Sequence, residues 1–153
     1  MGRQNKFKLR EMQRADLNKV LEIERASFEQ PYTREIFEQE LKIKVANLWV
    51  ATHRKNILGY IDFWVVADEV ELISIAVHPQ FKRMGVGDLL LGEMLRHVEA
   101  LGSAFVYLDV RESNLPAQKL YSKFGFTKVG VRRRYYSDNQ EDAIIMKKEI
   151  HAR

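Results

Sequence analysis

The sequence contains no cysteine. That removes disulfides, thiolate metal sites and a cysteine-linked acyl-enzyme from the chemistry open to it. No apolar run approaches the ~18 residues that a membrane span needs, so no membrane partner is expected. The first ten residues are polar and basic, without the apolar stretch of a signal peptide. Met1-Gly2 opens a myristoylation-like pattern, but Lys6 stands where serine or threonine is required. The expected location is therefore the cytoplasm. Four histidines, His53, His78, His97 and His151, keep no ligand spacing, and no metal is expected. Repeats, low-complexity tracts and Pro/Gly/Ser linkers are absent too, so a single domain over residues 1–153 is expected.

What is present is the common size of one domain, 153 residues. Such a chain buries roughly 70% of its unfolded surface. With 46% hydrophobic and 30% charged residues the composition is ordinary for a globular protein. The net charge is +4. It is spread over short clusters: Lys6/Lys8/Arg10, Lys42/Lys44, Lys82/Arg83, Arg132/Arg133/Arg134 and Lys147/Lys148. Solvated surface accounts for such clusters. A polyanionic ligand or a ribosomal neighbourhood also suits the balance. The aromatic-plus-basic pattern of a nucleic-acid module is missing, and no direct nucleic-acid contact is expected.

Periodicity predicts the elements. Alternation over 7–11 reads as a first strand. Asp16 is placed to cap a helix with faces marked by Leu17, Val20, Leu21 and Glu24, which Pro31 and its neighbours break. Thr33 caps a second helix, with Glu35 in its first turn and Ile36, Phe37 and Leu41 as apolar positions. Residues 48–52 and 57–66 form a hairpin around Arg54-Lys55-Asn56. Residues 70–77 form an apolar strand, ended by Pro79. A glycine loop and a long helix follow, stopping at Gly102. Residues 105–110 are nearly all apolar, as in a central strand covered on both faces. A helix over 114–124 stops at Gly125, and strands over 126–135 and 143–150 close the chain. The order β-α-α-β-β-β-α-β-α-β-β implies an α/β (α+β) mixed sheet and not a regular doubly wound one.

Two segments carry chemistry. In the first, a strand runs into Lys82-Arg83-Met84-Gly85-Val86-Gly87, which opens a helix at Asp88. A helix N-terminus offers unpaired N–H groups and a partial positive charge, and glycines let a pyrophosphate come close. Alone, this is equally a plain strand-to-helix turn. Its context is more telling: a strand ending Ala76-Val77-His78-Pro79 followed by x-x-Gly-x-Gly resembles the acetyl-CoA signature of the GCN5-related N-acetyltransferases (GNAT). Lys82 and acidic Asp88 depart from that pattern. The second segment runs from Leu108 to Phe126. It resembles the family's L-x-V-x-x-x-N-x-x-A-x-x-L-Y-x-x-x-G-F almost without gaps.

The resemblance, which extends from about Arg10 to Ile150, implies the GNAT fold with a splayed central strand pair and acetyl-CoA as co-substrate. It implies coenzyme contacts from Ile75, Ala76 and Val77, from residues 82–88 and from Asn114, Ala117 and Tyr121. Acyl transfer to an amine needs a proton acceptor for the amine and a proton donor for the departing thiolate. Tyr121 is the expected general acid. Asp109 interrupts an apolar run, so it is either paired, with Arg111 on the same face, or functional. Its place matches a glutamate base in the RimI-type ribosomal-protein-alanine acetyltransferases. Glu69 and Glu71 are rival carboxylates.

Arg133-Arg134-Tyr135-Tyr136 with Glu141-Asp142-Ala143 and Met146 also resembles the RimI type and related protein N-terminal acetyltransferases. So does Phe28-Glu29-Gln30-Pro31-Tyr32-Thr33. There the two loops wall a peptide groove, so Phe28, Pro31, Tyr32, Tyr135 and Tyr136 are the expected acceptor contacts. The expected reaction is direct acetylation of a protein N-terminus, a ribosomal protein among the candidates, by a monomer or weak homodimer. The alternatives are a GNAT enzyme acting on a lysine or small amine, and a non-catalytic acyl-CoA-binding subunit.

Overall fold

The computed structural model describes residues 6–150. Met1-Gly2 and His151 lie outside them. Seven strands and four helices follow one another as expected: β1 (Lys8–Glu11), α1 (Leu17–Ser27), α2 (Arg34–Lys42), β2 (Ala46–His53), β3 (Asn56–Val66), β4 (Glu69–Val77), α3 (Val86–Ala100), β5 (Phe105–Arg111), α4 (Leu115–Lys123), β6 (Thr127–Tyr136) and β7 (Glu141–Glu149). Short 3-10 turns precede α1 and follow β4. The strands join in the order β1-β2-β3-β4-β5-β7-β6. β4 and β5 are parallel, whereas β1–β2, β5–β7 and β6–β7 are antiparallel, so the sheet is mixed.

The chain forms two compact units. One holds the residues up to Phe63 together with Ser74–Leu91; the other holds Trp64–Ile73 and the residues from Gly92 onward. In the first unit α1 buries Leu17, Val20 and Leu21 and α2 buries Phe37, against Leu48, Val50 and Tyr60 of the strands. Three aromatic rings meet edge to face there. Tyr32 and Phe37 are 5.8 Å apart, and Phe37 and Tyr60 5.6 Å, a geometry that the ring quadrupoles favour. Ile36, read as apolar and inward, is 38% exposed, because a nine-residue helix has room for only a narrow buried stripe.

Thr33 caps α2 as expected, accepting the N–H of Ile36. Asp16 does not cap α1 with its side chain. Its carboxylate is taken by a two-pronged pair with Arg10, 2.8 Å on each arm, and by the N–H of Gln13. Bidentate guanidinium pairs outcompete a single capping bond, and the Arg10 bonds hold Asp16 below its ordinary value.

β3 is buried along both faces from Leu58 to Phe63. On one face Gly59 lies so close to β4 that a Cβ would stand 2.7 Å from the carbonyl oxygen of Ala76 and 3.1 Å from Val86. On the other, the carboxyl of Asp62 is wholly buried, and no donor among the described residues reaches either oxygen. Burial first, then the nearby carboxyl of Glu40, push Asp62 up to about 9.

In the second unit Val106, Leu108 and Val110 of β5 are buried, as are Met94, Val98, Tyr121 and Phe126. β5 was read as covered on both faces; it alternates strictly instead, with Phe105, Tyr107, Asp109 and Arg111 only half-buried. The large rings of Phe105 and Tyr107 occupy the open face, where Lys147 lies over both of them.

Two stability measurements follow. Gly59→Ala must push backbone against backbone, and is expected to cost about 1–3 kcal/mol, seen as a lower urea midpoint. The folded state keeps the Asp62 proton, which an unfolded chain releases near 3.8. Wild-type stability should therefore fall as pH rises from about 4 towards 9. In Asp62→Asn that fall should shrink in urea titrations at pH 5, 7 and 9; parallel profiles for the two proteins would refute it.

Candidate active site

In the first unit, β4 ends at residues 75–77 and its exit is tied back to β3, where the N–H of His78 donates to the carbonyl of Leu58 at 2.8 Å. Pro79, which has no N–H to offer a ladder, starts the 3-10 turn, and the His78 ring accepts the N–H of Gln80 at 3.1 Å. The other ring nitrogen of His78 meets Glu22 of α1 at 3.1 Å. Lys82, Arg83, Met84 and Gly85 are exposed. Arg83 (φ 64°) and Gly85 (φ 84°) both adopt the left-handed region. Nothing crowds Gly85, so backbone conformation and not space asks for glycine there.

Val86 is 1% exposed and pins the start of α3 to the core. The first helical bond runs from Leu89 N–H to the Gly85 carbonyl, so the N–H groups of Val86, Gly87 and Asp88 lack helical acceptors. Chemically this is a set of backbone donors with Lys82 and Arg83 beside it, suited to an anion. Asp88 in the first turn suits the helix dipole but opposes an anion. Phe28, Pro31 and Tyr32 belong to the same unit, half-buried in the loop between α1 and α2.

In the second unit Asn114 caps α4, its Oδ1 accepting the N–H of Ala117 at 3.2 Å, and Pro116 falls in the first turn where no N–H is missed. α4 buries Tyr121, 7% exposed. After it the chain reverses through Gly125 (φ 93°), and the Tyr121 carbonyl accepts the N–H of Phe126, whose ring lies 5.8 Å from that of Tyr121. Burial above all, with a smaller contribution from Tyr136, raises the Tyr121 phenol far above its ordinary value. Tyr136 is itself pushed up to about 12, by burial and then by the charge of Asp109. Tyr136 thus lies within electrostatic reach of Tyr121 and of Asp109.

Asp109 is not paired with Arg111. It is bonded to Arg132, Nε to Oδ1 at 3.2 Å. Asp109 lies in register with Ile145, and Ile145 with Gly130. No β6 side chain therefore stands directly across, and Arg132, two residues on, reaches over. Arg111 is drawn instead to the β6–β7 turn: it meets Asp138 at 3.0 Å and Glu141 at 3.2 Å, and its guanidinium lies 3.9 Å from the Tyr136 ring centroid. Glu141 also accepts the N–H of Ser113 at 2.6 Å. The bonds from Ser113, first, with those from Arg111 and Asn139, hold it down at about 2.

The β6 ladder is irregular between Arg132 and Tyr136, with Arg134 at φ 51° and its N–H on Asp142 at 2.8 Å. Such a bulge re-aims side chains. Here it leaves Tyr135 and Tyr136 edge to face, 5.1 Å apart, with Tyr135 52% exposed and Tyr136 half-buried.

On its open face this unit has a recess of about 340 Å³ lined by Trp64, Glu69, Glu71, Tyr107, Asp109 and Arg132, among others. Asp109 and the rival carboxylates Glu69 and Glu71 therefore share one recess. Among the lining residues, Trp64 and Tyr107 were not singled out from the sequence, and Arg132 only as one of a basic cluster. The i, i+2 spacing of Tyr107, Asp109 and Arg111 was the available signal for the open face of β5. Among the described residues no three carboxylate or histidine side chains gather into a metal-binding group, and no helix is long and apolar enough to cross a membrane.

The sequence matches the acetyltransferase (GNAT) family over residues 17–126. It is 34% identical, over 137 residues, to the ribosomal protein bS18-alanine N-acetyltransferase of Escherichia coli K12, covering 88% of this chain and 92% of that protein. It is 32% identical to an N-alpha-acetyltransferase of Sulfurisphaera tokodaii, covering 92% of this chain and 91% of that one. The crystal structure of the E. coli ribosomal-protein-S18-alanine N-acetyltransferase superposes with a TM-score of 0.88 at 31% identity, over 96% of both chains. Ard1 of Thermoplasma volcanium superposes with the same score at 26% identity, over 96% of this chain and 99% of that one. The family match runs through both the glycine loop and the α4 segment, and the chain belongs to the acetyltransferase (GNAT) family.

Proposed function

We propose that this acetyltransferase moves an acetyl group from acetyl-CoA directly to the α-amino group of a protein N-terminus, that of a ribosomal protein being the first candidate, and that the whole chain forms one catalytic domain. The observation that carries the reading is that one unit holds the buried Tyr121 of α4, the half-buried Tyr136 of β6 and Asp109 of β5 in an open recess. The named relatives, which act on alanine of ribosomal protein bS18 or bear an N-alpha-acetyltransferase name, support the choice of acceptor.

Each part of the chain then has a task. The backbone N–H groups at the start of α3, with Lys82 and Arg83, hold the coenzyme pyrophosphate. The backbone of Ile75, Ala76 and Val77 offers main-chain partners to the pantetheine amides and the acetyl carbonyl, and Asn114 with Ala117 offers more at the start of α4. β4 and β5 pair in parallel through Glu69, Val70 and Glu71 with Phe105, Val106 and Tyr107.

Tyr121 supplies the proton that the departing thiolate needs. Burial keeps the phenol protonated at every physiological pH, and apolar surroundings raise the proton affinity of a thiolate too, so the proton stays on Tyr121 until the thiolate forms. Asp109 accepts the proton of the amine, through a water where its short side chain falls short. An α-amino group, at about 7.7–8.0, is already partly neutral, whereas a lysine amine at about 10.4 is not. The demand on Asp109 is smallest for an N-terminus. Phe28, Pro31 and Tyr32 contact the acceptor peptide, as do Tyr135 and Tyr136.

One observation favours a second reading. Glu69, Glu71 and Asp109 in a single recess suit a cationic small amine. Mass spectrometry of a mixed peptide library, run beside polyamines and N-terminally blocked lysine peptides, separates the two. Acetylation should appear on free peptide α-amines; acetylation of polyamines or lysines alone would sink the N-terminal reading. Coenzyme A binding without turnover of any amine would make the chain a non-catalytic subunit.

Tyr121→Phe is expected to lower kcat about 10²-fold, the scale of a lost general acid, with little change in KM for the peptide; an unchanged rate removes Tyr121 from the chemistry. Asp109→Asn is expected to be milder. A loss equal to or larger than that of Tyr121→Phe would shift the proton transfer onto Asp109.

A further inference from the structure

The first unit contains a buried carboxylate that the reaction above does not use. Glu24 lies near the end of α1 and is 2% exposed. Its Oε2 accepts the backbone N–H of Tyr32 at 2.9 Å. Its Oε1 accepts the hydroxyl of Tyr60, a residue with no exposed surface on β3. The Tyr60 hydroxyl in turn shares a 2.7 Å hydrogen bond with Oγ of Ser74 on β4, immediately before Ile75. One line of hydrogen bonds thus runs from the main chain of the loop over residues 28–33, through Glu24 and Tyr60, to the strand segment that begins the acetyl-CoA contacts.

Packing alone does not ask for this arrangement. The neighbouring inward positions of α1 are Leu17, Val20, Leu21 and Ile23. Another aliphatic side chain would fill the place of Glu24 without removing a carboxylate from water, which is costly unless its oxygens are hydrogen-bonded. Burial does raise the proton affinity of Glu24. What a leucine cannot do is accept a main-chain N–H from the loop. The loop needs such a bond, since Pro31 has no N–H to give and Tyr32 must be held with its ring against Phe37.

We propose that Glu24 is a positioning residue for the acceptor: by bonding Tyr32 N–H and the Tyr60–Ser74 pair together it fixes the loop over residues 28–33, and so sets the affinity for the peptide and not the rate of the chemical step. This rests on the reading of that loop as a wall of the acceptor groove. Glu24 itself touches neither substrate; it acts through Tyr32.

The geometry makes Glu24→Gln and Glu24→Leu informative together. A glutamine can turn its carbonyl to Tyr32 N–H and its NH₂ to the Tyr60 oxygen, while the Tyr60 hydroxyl donates to Ser74. It preserves the line; leucine breaks it at both ends. Steady-state kinetics with a substrate peptide and acetyl-CoA are the measurement, with folding checked by circular dichroism. Glu24→Leu is expected to raise peptide KM about 10-fold, the scale of one to two lost hydrogen bonds, leaving kcat and the KM for acetyl-CoA little changed. Glu24→Gln is expected to restore peptide KM to near the wild-type value.

An unchanged peptide KM in Glu24→Leu, or a fall in kcat in its place, overturns the proposal. Should Glu24→Leu not fold, Tyr60→Phe, which keeps the ring and removes one link, serves instead: it should raise peptide KM by a smaller factor, and no rise overturns the proposal. Tyr32→Ala in parallel distinguishes the two levels of the argument. If Tyr32→Ala raises peptide KM and Glu24→Leu does not, the positioning role alone fails. If neither raises it, the loop is not a wall of the acceptor groove and both readings fall.

Discussion

The parallel pairing of β4 with β5, through Glu69, Val70 and Glu71 against Phe105, Val106 and Tyr107, is the constraint on which much of this protein depends. On its other side β5 pairs with β7 through all seven of its residues. Parallel pairing requires a long crossover. Here that crossover is the 3-10 turn, the glycine loop and α3, so the connection that makes β5 parallel to β4 also delivers a helix N-terminus at the end of β4.

Charge in the second unit is arranged around β5. Its open face carries Asp109 and Arg111 two residues apart, yet they serve different partners. Arg111 holds the β6–β7 turn through Asp138, Glu141 and the face of Tyr136, and Glu141 passes the restraint on to Ser113 before α4. The hairpin that bears the tyrosines and the helix that bears Tyr121 are therefore tied to the same cation. Arg132 is left to pair with Asp109. At 52% side-chain exposure its contribution to stability is small; its consequence is local, in orienting one carboxylate within the recess.

The first unit spends buried polar groups differently. Asp62 lies in the sheet core without a hydrogen-bond donor among the described residues, and is kept neutral by burial. Glu24, on α1, is fully engaged. Two carboxyls in one core thus have opposite characters, and the difference lies in which donors the α1–α2 loop and β3 bring within reach. Gly59, on the opposite face of β3, lets that strand approach Ala76 and the start of α3 closely enough to seat the loop that follows β4.

The order of elements, the cap at Thr33, the glycine stops at Gly102 and Gly125 and the anion-suited loop over residues 82–87 were all legible in the sequence. These depend on local rules: side-chain period, capping chemistry and the backbone freedom of glycine. The family likeness of residues 108–126 was legible for the same reason, being a contiguous pattern. What local rules could not reach were pairings set by register. Asp16 was taken for a cap because its position fits one, but Arg10 on the preceding strand claims it. Asp109 and Arg111 share a face, but strand alignment gives the first to Arg132 and the second to the β6–β7 turn. The open face of β5 was hidden because Phe105 and Tyr107 look buried in one dimension and lie under Lys147 in three. The network from Tyr32 through Glu24 and Tyr60 to Ser74 joins residues up to 36 positions apart within a single bonded step, and only the packing of α1 against β3 could bring them together.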